Sequence, residues 1–389
     1  MIRRQRPSTI TARPTSRRII LWGTALTVLA LGMTFLLDPY RNFQLATIAA
    51  TFCAVAGLTV LVGSSGQLSL GQAAMMAVGG YGYALTANVL TDAGVDGLAR
   101  FFLGMVGGLV ASGLLGLLLG LAAARLRGPY LAGLTLAITI AIAPLTTFFS
   151  GVFNGDAGLQ IAYDSVPPVL ATLIAMEQWQ AWVAILVAGV VVTALASLSH
   201  SGIGLHMRAT RDDEIAARLS GIRTGRIKVI AFIASSVTAG AGGAVVCFIT
   251  QAVSPGAYTL AFSLLLVVAA VIGGLGSIGG AAIGSALIVL LPWTVTLMTE
   301  ALPAELAHRL SGNLPVLLFG LLLIVVMATA PRGLAGIRFR RKPRRDRRVA
   351  EPARPQPDST AAAGPSDAAE PVLELATPNV PSAHQERKK

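Results

Sequence analysis

The 389-residue chain is 54% apolar and only 12% charged, about half the charged share of a soluble chain, which is too little polar surface to cover a water-facing protein and places the chain in a bilayer. Its formal charge of +12 sits in the two ends, since residues 19–331 carry 11 basic and 11 acidic side chains; such ends fit anionic lipid rather than nucleic acid. The two cysteines, Cys53 and Cys247, both lie in apolar runs, which excludes a disulfide framework and a cysteine-rich metal site.

Residues 1–18 hold six arginines and no acid and read as a basic cytoplasmic N-terminus. Ten apolar runs follow, at about 19–37, 43–62, 72–90, 101–124, 129–149, 179–198, 229–250, 257–273, 279–298 and 314–330. Each is near the roughly 20 residues that a helix needs to cross a bilayer core of about 30 Å. The first exceeds a usual signal-peptide core and no small-x-small cleavage site follows before Asp38, so it reads as an uncleaved span.

Charge sets the predicted topology. Alternate connections carry Arg125 and Arg127, then Arg208, Arg211, Arg218, Arg223, Arg226 and Lys228, then the basic segment 332–348. The intervening ones carry Asp92 and Asp96, then Asp156, Asp164 and Glu177, then Glu300 and Glu305. Positive-inside then puts both termini in the cytoplasm with ten spans between them. The predicted fold is an all-α polytopic bundle of about ten transmembrane helices with Gly-rich broken segments, over residues 19–331. Residues 349–389, rich in Pro, Ala, Ser and Glu without apolar periodicity, read as a disordered cytoplasmic tail.

No Asp, Glu, Lys, Arg or His falls inside the ten runs. Titratable groups at membrane depth mark proton relays and voltage sensors, so their absence speaks against proton coupling, voltage gating and intramembrane catalysis. Sodium coupling is weakened but left open, because carbonyls and hydroxyls also coordinate sodium. The four lysines, Lys228, Lys342, Lys388 and Lys389, lie in no phosphate-binding G-x-x-x-x-G-K-[ST] motif. The chain is therefore expected not to be an enzyme and to hold no cofactor or metal, and if it moves a solute uphill the energy comes from another polypeptide.

Three constellations remain. Within the inward connection 199–228, Thr210 followed by Asp213 resembles a capping box, Asp212, Asp213 and Glu214 fall in the first turn, and Glu214 pairs with Arg218 at i,i+4. The expectation is one capped amphipathic helix over 204–222, stopped at Gly221, which either lies on lipid or docks a cytoplasmic motor. The uncharged Gly63-Ser-Ser-Gly-Gln-Leu-Ser-Leu-Gly-Gln72 and Gly273-Gly-Leu-Gly-Ser-Ile-Gly-Gly280 read as irregular backbone at membrane depth. Either they border a solute path or they serve tight helix packing. The loop from Asn154 to Glu177 either receives an extracytoplasmic partner or is a solvated connection.

Together, Gly66-Gln-Leu-Ser-Leu-Gly71, Leu126-Arg-Gly-Pro-Tyr-Leu-Ala132, the loop Arg208–Gly221 running into Lys228-Val-Ile-Ala-Phe232, Ser254-Pro255 and Gly273-Gly-Leu-Gly-Ser277 resemble the permease subunits of ABC importers for branched-chain amino acids. The likeness is to the longer of two permease types and spans about 43–331. It implies a bacterial inner-membrane importer in which this permease pairs with a second permease, two cytoplasmic ABC ATPases and an extracytoplasmic substrate-binding protein. The family's ATPase-coupling loop falls on Arg211, Asp212, Asp213, Glu214, Ala216, Ala217 and Gly221. Its translocation path falls on Gly66, Gln67, Ser69, Gly71, Gln72, Gly274, Gly276 and Ser277, with an outer mouth at Asn154, Gly155 and Gly158. The chain departs from the family pattern at Ser64-Ser65, Gln72, Pro129 and Asn154. The solute therefore stays open among branched-chain or other small amino acids, urea, short amides and sugars, with a stand-alone channel or sodium-coupled carrier as the competing class.

Overall fold

The structure, a computed structural model, describes residues 16–126, 128–162, 166, 174–300, 314–329 and 334. The predicted basic segment 332–348 (apart from residue 334), the tail, most of the N-terminal segment, Arg127, Asp164 and Glu305 lie outside the described residues. In chain order the helices are α1 (Ser16–Met33), α2 (Pro39–Ser65), α3 (Gln72–Asp92), α4 (Leu98–Arg125), α5 (Pro129–Phe148), α6 (Ser150–Phe153), α7 (Met176–His200), α8 (Gly202–Asp212), α9 (Glu214–Leu219), α10 (Thr224–Thr250), α11 (Leu260–Gly273), α12 (Ile278–Glu300) and α13 (Leu314–Thr329). Two-residue strands β1 (Leu159–Gln160) and β2 (Ala252–Val253) pair antiparallel, Leu159 opposite Val253.

Local chemistry sets several of these boundaries. α2 and α5 open on Pro39 and Pro129, where the missing amide hydrogen costs nothing and φ is already helical. The Thr259 side chain accepts from the Phe262 amide to start α11, and Ser277 accepts from Gly280 at the start of α12.

Each of the ten predicted apolar runs coincides with a helix. Among the described residues, however, seven segments are long and apolar enough to cross a membrane: Pro39–Ser65, Leu98–Arg125, Pro129–Phe148, Met176–His200, Thr224–Thr250, Pro255–Gly273 and Ile278–Val295. α13 is short at 16 residues, and the apolar stretch at α1 covers Gly23–Leu36. α3 is long enough but diluted by Gln72, Gly79, Gly80, Gly82, Tyr81, Tyr83 and Asn88. It packs against α4 and α10, with Gln72, Tyr81 and Tyr83 buried.

α2 and α10 are the central pillars, with 78% and 67% of their apolar windows buried against 28% for α5. Small residues bring the inner helices into contact. A Cβ on Gly243 of α10 would stand 1.9 Å from the Met76 carbonyl oxygen of α3, and one on Gly242 2.4 Å from the Ala50 oxygen of α2. The connections sort to two ends. Residues 65–68, Leu126, Gly128, Leu131, 210–214 and Lys228 meet at one, whose connections also carry Arg125, Arg208, Arg218, Arg223 and Arg226. At the other, Arg100 donates to the Ala162 carbonyl, Asn88 to Gln160, Gln180 to Ile249 and Trp182 to Thr34. Two cations at that second end escaped the charge argument. Buried Arg100 bonds Thr91 and Asp96, and Arg41 lies 6.0 Å from the Trp293 ring centroid.

Gly243→Val is expected to destabilise the fold by about 1–3 kcal/mol through overpacking against α3. Gly133→Val, with nothing within 4 Å of its added Cβ, is expected to leave the melting temperature of the detergent-solubilised chain unchanged; thermal unfolding of both checks this.

Candidate functional site

The loop joining α7 to α10 forms two helices, not the single one expected over 204–222. Ser201 caps α8, its hydroxyl accepting from Gly204. Thr210 lies inside α8 and bonds back to the His206 carbonyl at 2.8 Å, so it is not a cap. The chain breaks at Asp213, extended at φ −154° and ψ 108°. Its carboxylate accepts from the Ile215 and Ala216 amides at 2.9 and 3.0 Å. An aspartate caps better than a threonine, so α9 starts three residues later than the Thr210 signal implied. Asp212 therefore ends α8 instead of opening α9.

Gly221 closes α9 as expected. It sits at φ +81°, with Ile222 N–H bonded to the Ala217 carbonyl and Gly221 N–H to that of Arg218, the paired bonds of a Schellman ending.

Glu214 fastens α9 to the base of α10. Its carboxylate bonds Lys228 at 3.1 Å and also Arg218, and Arg218 bonds Thr224 at 3.0 Å. Partial burial pushes the Glu214 carboxyl up, but Lys228 and Arg218 outweigh it and hold the group below its ordinary value of 4.5. While this carboxylate ties down one side of α9, Ile215 and Leu219 are 72% and 86% exposed. Ala216 and Gly221 are also exposed, and Ala217 is buried.

Residues 66–71 run without helix from the Arg- and Lys-rich end into the bundle. Leu70 marks the depth: its carbonyl accepts from Thr139 at 3.1 Å and from Ser263, and its amide donates to Thr135 at 3.0 Å. Thr139 is ten residues into α5, and Ser263 ten residues from the end of α11, each roughly 15 Å from that end at 1.5 Å per residue. Gln72, fully buried, donates to the Ala54 carbonyl of α2 at 2.7 Å and accepts from Ser235 of α10 at 3.4 Å. The segment is irregular backbone at membrane depth, satisfied by side chains of α5 and α11. Ser69 and Gly71 are buried with it, and the Ser69 hydroxyl accepts from the Gly71 amide.

The second glycine break touches the first. Gly274 and Gly276 take φ of +105° and +85°, and the Gly276 amide donates to the Thr59 carbonyl of α2 at 3.2 Å. A Cβ on Gly63 would lie 2.2 Å from the Gly276 nitrogen. Gly66 and Gln67 join Arg211, Asp212, Asp213, Glu214 and Lys228 around a cavity of 280 Å³. Asn154, Gly155 and Gly158 belong to the far end, where Asn154 bonds the Gly158 carbonyl and a Cβ on Gly158 would strike Val253. They do not join the other groups.

Several of these positions escaped the sequence argument. Thr135, Thr139 and Ser263 hold the irregular segment and Ser235 bonds Gln72 beside it, yet a hydroxyl in an apolar helix ordinarily bonds its own preceding turn. The i,i+4 spacing of Thr135 and Thr139 was the available signal. No group of three or more His, Cys, Asp or Glu that could hold a metal occurs among the described residues.

A family profile described as "Branched-chain amino acid transport system / permease component" matches residues 40–327. Similar curated proteins include the "High-affinity branched-chain amino acid transport system permease protein LivM" of Escherichia coli (strain K12), 28% identical over 336 residues, covering 81% of this chain and 74% of that protein. Its namesake from Salmonella typhimurium (strain LT2) is 28% identical over 342 residues, with the same two shares. No solved structure matches.

A carboxylate held below its ordinary value adds stability that is present above that value and lost as pH falls through the folded-state value. Intrinsic-rate-corrected amide exchange over 214–219 is thus expected to stay flat from neutrality down to pH 4.5 and to rise below it. Each partly exposed pair is worth ~0.2–1 kcal/mol, so Glu214→Gln is expected to speed that exchange severalfold at neutral pH.

Proposed function

The chain belongs to the family of permease components of branched-chain amino acid transport systems, and from that membership we propose that it is one of two permease subunits of an ATP-driven importer of branched-chain or other small amino acids. The other subunits are a second permease, two cytoplasmic ABC ATPases and an extracytoplasmic substrate-binding protein. Both termini and the α8–α9 loop face the cytoplasm, in line with the Arg and Lys gathered at that end.

The observation that carries the reading is α9. A rigid, capped helix fastened by Glu214 presents Ile215 and Leu219 outward, which is what an ATPase groove needs to grip. Among the described residues the aspartates and glutamates sit at helix ends or in connections, so no carboxylate at mid-depth is on hand to relay protons. Closure of the ATPases on nucleotide pushes α9, and the surrounding spans pass the cavity from outward- to inward-facing. The segments 66–72 and 274–277 border the path. The turn at Asn154, Gly155 and Gly158 lies at its outer mouth, and the binding protein selects the solute.

Leu219→Asp leaves the Glu214 anchor intact but places a charge on the docking face. It is expected to abolish copurification of the ATPases and to lower uptake of labelled leucine at least tenfold in cells expressing all subunits. Glu214→Lys, which sets a third cation against Lys228 and Arg218, is expected to lower uptake similarly with the protein still inserted. Parental uptake in both variants, or uptake that persists without the ATPases, would contradict the reading and favour a channel or sodium-driven carrier.

A further inference from the structure

The end of α2 is held by a side chain from the far side of the sequence. A helix leaves the carbonyls of its last turn without intrahelical partners. Here the Val62 carbonyl takes the Gly66 amide at 3.0 Å. The Gly63 carbonyl instead takes Nη1 of Arg211, which stands on the last turn of α8, 148 residues away. Asp212 braces the same guanidinium, its Oδ1 accepting from Nε at 2.9 Å and Nη2 at 2.8 Å. Asp212 thus holds the Nε–Nη2 edge of the planar fork while Nη1 reaches α2. A cation at a helix C-terminus also meets the negative end of the helix dipole.

The path to Gly63 passes over Gly66. A Cβ there would lie 2.6 Å from Arg211 Cγ, so the missing side chain at the turn into the irregular segment is the slot for the arginine stem. Gly63 in turn backs onto Gly276, whose amide is bonded to Thr59 of α2. One guanidinium therefore touches the start of the first glycine break and, through Gly63, the second. The 280 Å³ cavity beside it leaves room for displacement. The buried Gln67 Oε1 on its wall has no hydrogen-bond donor, so the present arrangement leaves one acceptor that a shifted segment would pair.

We infer that Arg211 is the strut by which movement of the α8–α9 loop is delivered to the irregular segment 66–71 and to the 274–277 break. It is a positioning residue that sets when the path opens and makes no contact with solute or ATP. This rests on the coupling role proposed above for α9, and it adds where the push is received.

The test is made on the complete importer, reconstituted with both ATPases, the second permease and the binding protein, by measuring leucine transported per ATP hydrolysed. Arg211→Ala is expected to retain the ATPases and to keep hydrolysing ATP while transport per ATP falls at least tenfold. Arg211→Lys, which restores one donor without the brace, is expected to recover part of the loss. Unchanged transport per ATP in Arg211→Ala would overturn the inference. Loss of ATPase copurification in that variant would overturn it as well, by making Arg211 a docking residue and leaving the proposed function standing. Failure of the parental complex to bind the ATPases at all would overturn the reading on which the inference rests.

Discussion

Inside hydrocarbon a backbone amide or carbonyl without a partner costs several kcal/mol, because no water is there to receive it. A helix solves this locally, and most of the described chain takes that solution. Residues 66–71 do not. They cross roughly 15 Å of the bundle as irregular backbone, and the groups at Leu70 are satisfied by Thr135 and Thr139 of α5 and Ser263 of α11. The partners are hydroxyls on separate helices, so the segment's hydrogen bonding depends on where those helices stand. A shift between α5 and α11 is felt at Leu70, whereas a regular helix would carry its bonds with it. That dependence ties the course of this segment to the positions of α5 and α11.

The charges complement this arrangement. α9 is attached to α10 through Glu214 and Lys228, and α8 to α2 through Arg211 and Gly63. The one end thus holds both the exposed Ile215 and Leu219 and a connection to the irregular backbone. The other end is organised differently, around the Asn154–Gly158 turn, the β1–β2 pair and the buried Arg100. Close glycine contacts among α2, α3 and α10 leave little freedom at the centre.

Much of this was legible in the sequence, for identifiable reasons. The apolar runs found their helices because length and hydropathy are local properties. Within Gly63–Gln72 the polar, uncharged and glycine-rich composition pointed to irregular backbone, which the structure confines to 66–71, Gly63–Ser65 ending α2 and Gln72 opening α3. Span number was less legible: α3, with its glycines, tyrosines and Gln72, is sheltered by neighbouring helices, and no local rule reveals shelter. The α8–α9 break was missed because Thr210 and Asp213 are both capping residues, and only the extended backbone at Asp213 decides between them. The contact of Gly63 with Gly276 and that of Arg211 with Gly63 join residues more than a hundred positions apart, and nothing in a single sequence pairs them.

The claim that hydroxyls on α5 and α11 hold the segment at depth is tested most directly by thiol accessibility. Ser69, buried in this structure, is replaced by cysteine and treated with a water-soluble maleimide in open membranes, Cys53 and Cys247 being buried themselves. In the otherwise parental protein this cysteine should be unreactive, and adding Thr139→Val with Ser263→Ala should raise its labelling rate at least tenfold. Labelling that stays equally slow after both hydroxyls are removed would show that the segment is held by other means, and would contradict the account.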